Sequence, residues 1–253
     1  MGTYLTTIAL AMIIGPMLTT ILVNYFTYSQ ILLISSLPSF IVALTIISLE
    51  KNLFEDENRE NNIASSSFMD VLRKRDFTLV CTSTLTYSLA QGLFLAFFPI
   101  YAENTFLLTA SIISLLYMVR GLFNVLVRAP TGKISDRIGN KFPMILGMIL
   151  ITFSFLTISF KVPLLILVLA LALIGVGWGI RAVASMTFIG KILPEEEQGI
   201  GMALFFNMFD IGIVVGSIAG GILTSFVSLN LLFRGVAVLM IPGTLLLFLL
   251  SNA

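Results

Sequence analysis

The chain has no histidine, a single cysteine, a single tryptophan and few charges: Asp, Glu, Lys and Arg make up 11% of 253 residues. Each shortage excludes something. Without histidine the usual general base, the usual zinc ligand and the side chain that titrates near neutrality are missing. One cysteine, Cys81, set in an apolar run, permits neither a disulfide framework nor a cysteine metal cluster and reads as a small core residue. No HExxH, GxSxG or P-loop pattern occurs, so metal-dependent, hydrolytic and nucleotide-driven chemistries lack their parts, and the chain reads as a non-enzyme with no cofactor. The net charge is +1 with basic residues spread through loops, which excludes a nucleic-acid footprint.

Apolar residues are what the chain has in plenty. Hydrophobic residues reach 58%, with 21 Phe, and the mean hydropathy is +1.05. A soluble domain needs a charged surface to stay dispersed, so the solvent expected for most of this protein is lipid. Near-continuous apolar runs fall at 3–24, 29–49, 77–99, 110–129, 142–160, 164–188, 199–223 and 230–250. Each is long enough to cross a hydrocarbon core of ~30 Å as a helix. The fold expected is therefore an all-α polytopic membrane protein of eight transmembrane helices. Residues 1–23 lack the basic start and small-residue cleavage pattern of a signal peptide, and read as a retained span.

Cytoplasmic loops are enriched in Lys and Arg. The 50–76 segment carries Lys51, Arg59, Arg73, Lys74 and Arg75; the 128–141 connection carries Arg128, Lys133, Arg137 and Lys141; the 189–198 loop adds Lys191. The opposite loops contribute only Lys161. This places both termini in the cytoplasm of a multi-pass protein of the cell membrane. The long break divides the chain into residues 1–50, a linker at 51–76 and residues 77–253. The linker's second part has two readings: an amphipathic helix along the headgroups, with Phe68, Met69, Val71 and Leu72 toward lipid, or a tether whose basic residues fix topology.

An internal repeat joins the two ends of the chain. Gly15, Pro16, Thr19, Thr20, Ile21 and Leu22 align without gaps on Gly216, Ser217, Gly220, Gly221, Ile222 and Leu223, an offset of 216 − 15 = 201 residues. The same offset carries the second span onto the eighth. By this register, counterparts of the four helices between 77 and 198 belong ahead of the first span, so the chain is expected to be a fragment or an N-terminally truncated product.

The most specific motif is Gly132-Lys133-Ile134-Ser135-Asp136-Arg137-Ile138-Gly139-Asn140-Lys141. Four charges and two glycines between apolar runs predict a tight, water-facing turn, with Gly132 and Gly139 taking backbone angles that other residues avoid and Asp136 capping exposed amides. This run resembles the loop signature of the major facilitator superfamily, G-x-x-x-D-R-x-G-x-[KR], which in that family joins the second and third helices of each six-helix half. The segment at Gly15 and Pro16 resembles the family's antiporter-associated fifth-helix motif, with Thr19 and Thr20 where that motif has paired glycines. The resemblance covers essentially the whole length and implies helices five to twelve: the last two helices of a first half and a complete six-helix second half. It implies a secondary active transporter that moves a small solute by alternating access, with a coupling proton or ion as a further partner. It also implies that Asp136 takes part in a charge contact between the halves, its partner region being the cytoplasmic start of the first helix near Met1. The alternative is a non-transporting remnant or accessory membrane protein.

Charges within spans cost ~2.5–3.5 kcal/mol on insertion scales and so become functional candidates. Arg120 and Asp210 fall near mid-depth and are expected as partners, either in a permanent ion pair or with Arg120 facing a cavity to hold an anionic solute group. Asp210 is also a candidate proton-coupling carboxylate. Arg181 follows the small-residue stretch Gly175, Gly177 and Gly179, which allows close helix packing or local bending. Gln91, Trp178, Tyr87, Tyr117 and Asn124 are candidate cavity liners. Arg128 and Arg234, near span ends, are expected to snorkel. Gly15, Pro16, Gly216, Gly220 and Gly221 are expected to serve helix packing.

Overall fold

The computed structural model describes residues 2–53 and 68–251, with side chains over 11–45 (apart from 12 and 28) and 68–251. The described residues form α1 (Gly2–Leu22), α2 (Tyr28–Leu53), α3 (Phe68–Arg73), α4 (Arg75–Phe106), α5 (Ala110–Ile138), α6 (Lys141–Ile158), α7 (Leu164–Ile192), α8 (Glu195–Leu223) and α9 (Leu229–Phe248). Six of them, α4 to α9, are long and apolar enough to cross a membrane. In α1 and α2 the apolar stretches found among the described residues are the shorter Ile13–Leu22 and Ser29–Thr45.

The helices outrun the apolar runs that mark them. The run at 77–99 is the middle of a 32-residue helix, and α5 continues well past residue 129. Hydropathy records where lipid contact ends; backbone hydrogen bonding continues into water wherever the residues tolerate helix. The ten-residue motif is accordingly not the turn expected for it. Gly132 to Ile138 form the last two turns of α5, and only Gly139 and Asn140 separate α5 from α6. Gly139 has φ 85°, the left-handed region that a Cβ disfavours, and it alone of the motif's glycines needs its freedom. Gly132 sits in regular helix with open space where a Cβ would stand.

α4 packs on α8 and α9, α5 on α7 and α1, and α6 on α7 and α9. Without water to drive helices together inside lipid, such contacts rest on close packing, which small residues permit. On α8, Gly212, Gly216 and Gly220 lie one turn apart along the α4 contact, and backbone or side-chain atoms of Leu89, Ser88 and Leu93 occupy the space a methyl would need. α7 uses its glycines in two directions. Gly175 and Gly179 meet α5 at Arg120 and Asn124, whereas Gly177 meets Gly147 of α6, its carbonyl 2.7 Å from where a Cβ would stand. The core these contacts close is rich in aromatics, including Tyr87, Phe94, Phe98, Tyr101, Phe155 and Phe233.

The sequence repeat reappears as a repeated turn. After α1, Val23 N donates to Thr19 O and Phe26 N to Leu22 O; after α8, Thr224 N donates to Gly220 O and Val227 N to Leu223 O. These pairs stand at the offset read from the sequence, as do the ends of α1 and α8 and the starts of α2 and α9. α2 differs from its counterpart α9 in its surroundings: its described residues 29–45 are exposed, Ile31 apart, with Leu32 at 70% and Phe40 at 63%.

Of the linker, residues 54–67 lie outside the described residues. α3 is helical as one of the two readings required, but Val71 is fully buried against the bundle while Phe68 and Met69 are exposed, so its four apolar residues do not share one lipid-facing side.

Candidate functional site

A polar cluster lies inside the bundle, among α4, α5 and α7. α4 supplies Thr84, Tyr87 and Gln91, α5 supplies Tyr117 and Arg120, and α7 supplies Trp178 and Arg181. Arg120 is the eleventh residue of α5, and Arg181 the eighteenth of α7, in helices of 29 residues each, so both stand well away from the helix ends. They are 1% and 2% exposed.

The Arg120 guanidinium lies over the Phe94 ring at 5.1 Å and over the Trp178 ring at 5.5 Å. Arg181 lies over the Tyr87 ring at 5.0 Å, and its Nη2 donates to Thr84 Oγ1 at 2.7 Å. The Tyr87 hydroxyl donates to Gln91 Oε1 at 3.3 Å and stands within electrostatic reach of both arginines. Aromatic faces attract the cations through the ring quadrupole, which offsets part of the cost of taking them out of water. That attraction leaves the guanidinium N–H groups in need of acceptors. Arg120 Nε and Nη2, Arg181 Nε and the Tyr117 hydroxyl are buried without a hydrogen-bond partner among the described residues.

Ion pairs among the described residues join Asp70 with Arg73 and Lys74 with Glu197, and neither buried arginine takes part in one. The expected pairing of Arg120 with Asp210 is therefore not formed. Asp210 is exposed on α8, one residue beyond Phe209, whose ring stacks on Tyr87 at 6.1 Å. Nor is Arg120 open to a cavity: Phe94, Trp178 and the bundle around them cover it. Gln91 is buried and Trp178 half-buried, both among packed side chains. Asn124 instead braces the α5–α7 crossing, donating from Nδ2 to Gly175 O at 3.3 Å. Arg128 turns inward, with Nε donating to Asn124 Oδ1 at 3.1 Å, rather than snorkelling as expected, because Asn124 one turn back along α5 and the Trp178 ring of α7 offer it partners. Arg234 is exposed at the opposite end, over the Phe160 ring at 4.7 Å.

A second polar site occupies the end of the bundle that carries the motif. Asp136 and Arg137 are exposed on the last turn of α5. Asp136 makes no capping bond: α6 begins at Asn140 without a side-chain cap. In the expected partner region of Asp136 at the start of α1, Met1 and the side chains of residues 2–10 lie outside those described. Lys141 has a defined role, donating from Nζ to Leu250 O at 2.7 Å and so tying the start of α6 to the end of α9. At the same end Ser251 bonds Asp76 of α4 through Oγ to the carboxylate, and Lys74 meets Glu197 of α8 at 2.5 Å. Asp76 and Glu197 were missed from sequence because single charges near helix starts carry no spacing signal until the helices are assembled.

Of the glycines expected to serve packing, Gly216 and Gly220 are buried against α4. Gly221 is exposed, and Gly15 is exposed with nothing near its missing Cβ. Pro16 is half-buried within α1. An apolar groove between α6 and α9, lined by Ile149, Thr152, Phe153, Ile241 and Thr244 among others, contains none of the charged candidates. Its two threonines bond their own helix carbonyls, as lipid-facing hydroxyls do.

Six packed apolar helices with a basic rim at one end define a polytopic membrane protein. Residues 80–253 match the family model of the Major Facilitator Superfamily, and the chain belongs to that family. An uncharacterized MFS-type transporter of Methanocaldococcus jannaschii is 21% identical over 238 residues, covering 92% of this chain and 61% of the relative. A multi-drug resistance efflux pump homolog of Lactococcus lactis subsp. lactis is 21% identical over 250 residues, covering 95% of this chain and 60% of the relative. The chain thus spans about three fifths of the length of the curated relatives it matches.

Proposed function

We propose that the chain forms the second half of a secondary active transporter, with the last two helices of the first half, and that it moves a small solute across the cell membrane by alternating access. Eight spans and cytoplasmic termini belong to this reading. The observation that carries it is the α5–α6 junction: the family's charged signature stands at a two-residue break, with Gly139 in a left-handed turn and Lys141 holding the end of α9. A bundle tied at that rim can tilt as one body, which is what exposure of a mid-membrane site to alternate sides requires. The printed name of the second relative favours outward movement. Asp210 is the acidic residue proposed for coupling to a proton or ion, since it is exposed at the middle of α8 beside the polar cluster. Asp136 is proposed for the contact between halves.

A second reading, a membrane protein that does not itself transport, is favoured by the exposure of α2 along its described length. Solute flux in proteoliposomes containing the protein separates the two. Time-dependent, saturable flux that Asp136→Ala slows at least tenfold is the outcome expected of a transporter. Flux equal to that of empty vesicles supports the second reading.

A further inference from the structure

We infer that the buried cluster around Arg120 and Arg181 is a binding site for a small organic anion: a carboxylate or phosphate head on a flat, apolar body. The inference rests on the transporter reading and names the class of solute for that same site.

Three observations converge on it. First, the cluster is cationic, because both guanidiniums are buried and neither meets a carboxylate of the described residues. A cationic drug would be repelled there, and an anion would supply the missing countercharge. Second, the groups left without partners are donors: Arg120 Nε and Nη2, Arg181 Nε and the Tyr117 hydroxyl. The ligand that completes them must bring several acceptor oxygens. Third, the Phe94 and Trp178 rings stand 5.1 and 5.5 Å from the Arg120 guanidinium carbon, while two unpartnered nitrogens, Nε and Nη2, share one edge of that group. Two nitrogens on one guanidinium edge form the fork for two parallel N–H···O bonds to one carboxylate or phosphate. The same rings offer the ligand's body a flat apolar wall.

The head could come from a soluble solute or from a lipid. Lipid headgroups lie at the membrane surface, whereas Arg120 lies nine or more residues inside the apolar run at 110–129 and Arg181 seven inside the run at 164–188. That depth assigns the site to a water-soluble solute. The cluster's near-complete burial limits the solute to a compact molecule and requires α4, α5 and α7 to part for entry.

Trp178 is the chain's single tryptophan, so its fluorescence reports this site directly. The protein is placed in nanodiscs of phosphatidylcholine and titrated with benzoate, phenyl phosphate, inorganic phosphate and benzylammonium. Saturable changes with benzoate and phenyl phosphate are expected, with inorganic phosphate at least tenfold weaker and benzylammonium silent. Arg120→Gln weakens the benzoate response at least tenfold, and Arg120→Lys restores less than half of that loss, because an ammonium keeps the charge without the fork. The comparison of benzoate with benzylammonium uses the unaltered protein and stands even if a variant fails to fold. A benzylammonium response equal to that of benzoate overturns the inference, as does an unchanged benzoate response in a folded Arg120→Gln variant. Nanodiscs containing phosphatidylglycerol that reproduce the shift and abolish the benzoate response overturn the assignment to a soluble solute. Binding with these properties but no benzoate flux in proteoliposomes supports the anion site and contradicts the transporter reading; flux of a cation without anion binding does the reverse.

Discussion

The pairs α1–α2 and α8–α9 are two copies of one design in different surroundings. Their helix ends, their connecting turn and the hydrogen bonds of that turn correspond residue for residue. Yet Gly216 is wedged against Leu89, whereas its counterpart Gly15 has open space around it. Phe233 is fully buried beside Tyr101, at 5.0 Å between rings, whereas its counterpart Leu32 is 70% exposed. Local structure follows the repeated residues; the energetic weight of each residue follows the helix it touches. The same glycine is indispensable where a backbone crosses it and dispensable where none does.

The largest test of this contrast is a matched pair of truncations read by thermal unfolding in detergent. Phe233→Ala is expected to cost about 3 kcal/mol or more, through lost packing and the cavity left behind. Leu32→Ala is expected to stay within about 0.5 kcal/mol. Equal losses would break the comparison by showing α2 to be packed as firmly as α9. Next comes the glycine pair. Gly216→Val forces α8 off α4 and is expected to cost about 1–3 kcal/mol, while Gly15→Val leaves the melting temperature within error. A smaller effect distinguishes the tied end of α9: Lys141→Ala removes a charge-assisted bond to Leu250 O, and faster amide exchange in the last turn of α9, with about 1 kcal/mol of lost stability, is expected. The smallest is Lys74→Ala. Its partner Glu197 is partly exposed, so a loss below about 1 kcal/mol that vanishes at high salt is expected, and a large salt-independent loss would show the rim to be more deeply coupled than its geometry suggests.

Membrane helices, their order, the repeat and the family signature were legible in the sequence, because each is written as a run, a period or a fixed spacing. The small-residue stretch from Gly175 to Gly179 left close packing and local bending open, and close crossings with α5 and α6 are what the structure has there. The motif's secondary structure was misread. Lys133, Asp136 and Arg137 are as compatible with exposed helix as with a turn, and polarity marked the edge of the lipid rather than the end of α5. The arginines were picked out by the cost of a charge in a span, but Arg120 was matched to Asp210 on depth alone. Depth counts residues along a helix and is blind to which helices pack together: α5 packs on α7 and α1, whereas α8 packs on α4. The contacts of Asp76 and Glu197 depend on where four helix ends meet, which no local pattern encodes.

On the proposed function, the cationic, aromatic-walled cluster selects the solute that the bundle moves. Uptake of labelled benzoate and of labelled benzylammonium into proteoliposomes, side by side and with Arg120→Gln as the matched control, tests it most directly. The account predicts saturable benzoate flux that falls at least tenfold in the variant, with benzylammonium at the level of empty vesicles. Benzylammonium flux equal to or above that of benzoate, unaffected by the substitution, would contradict it.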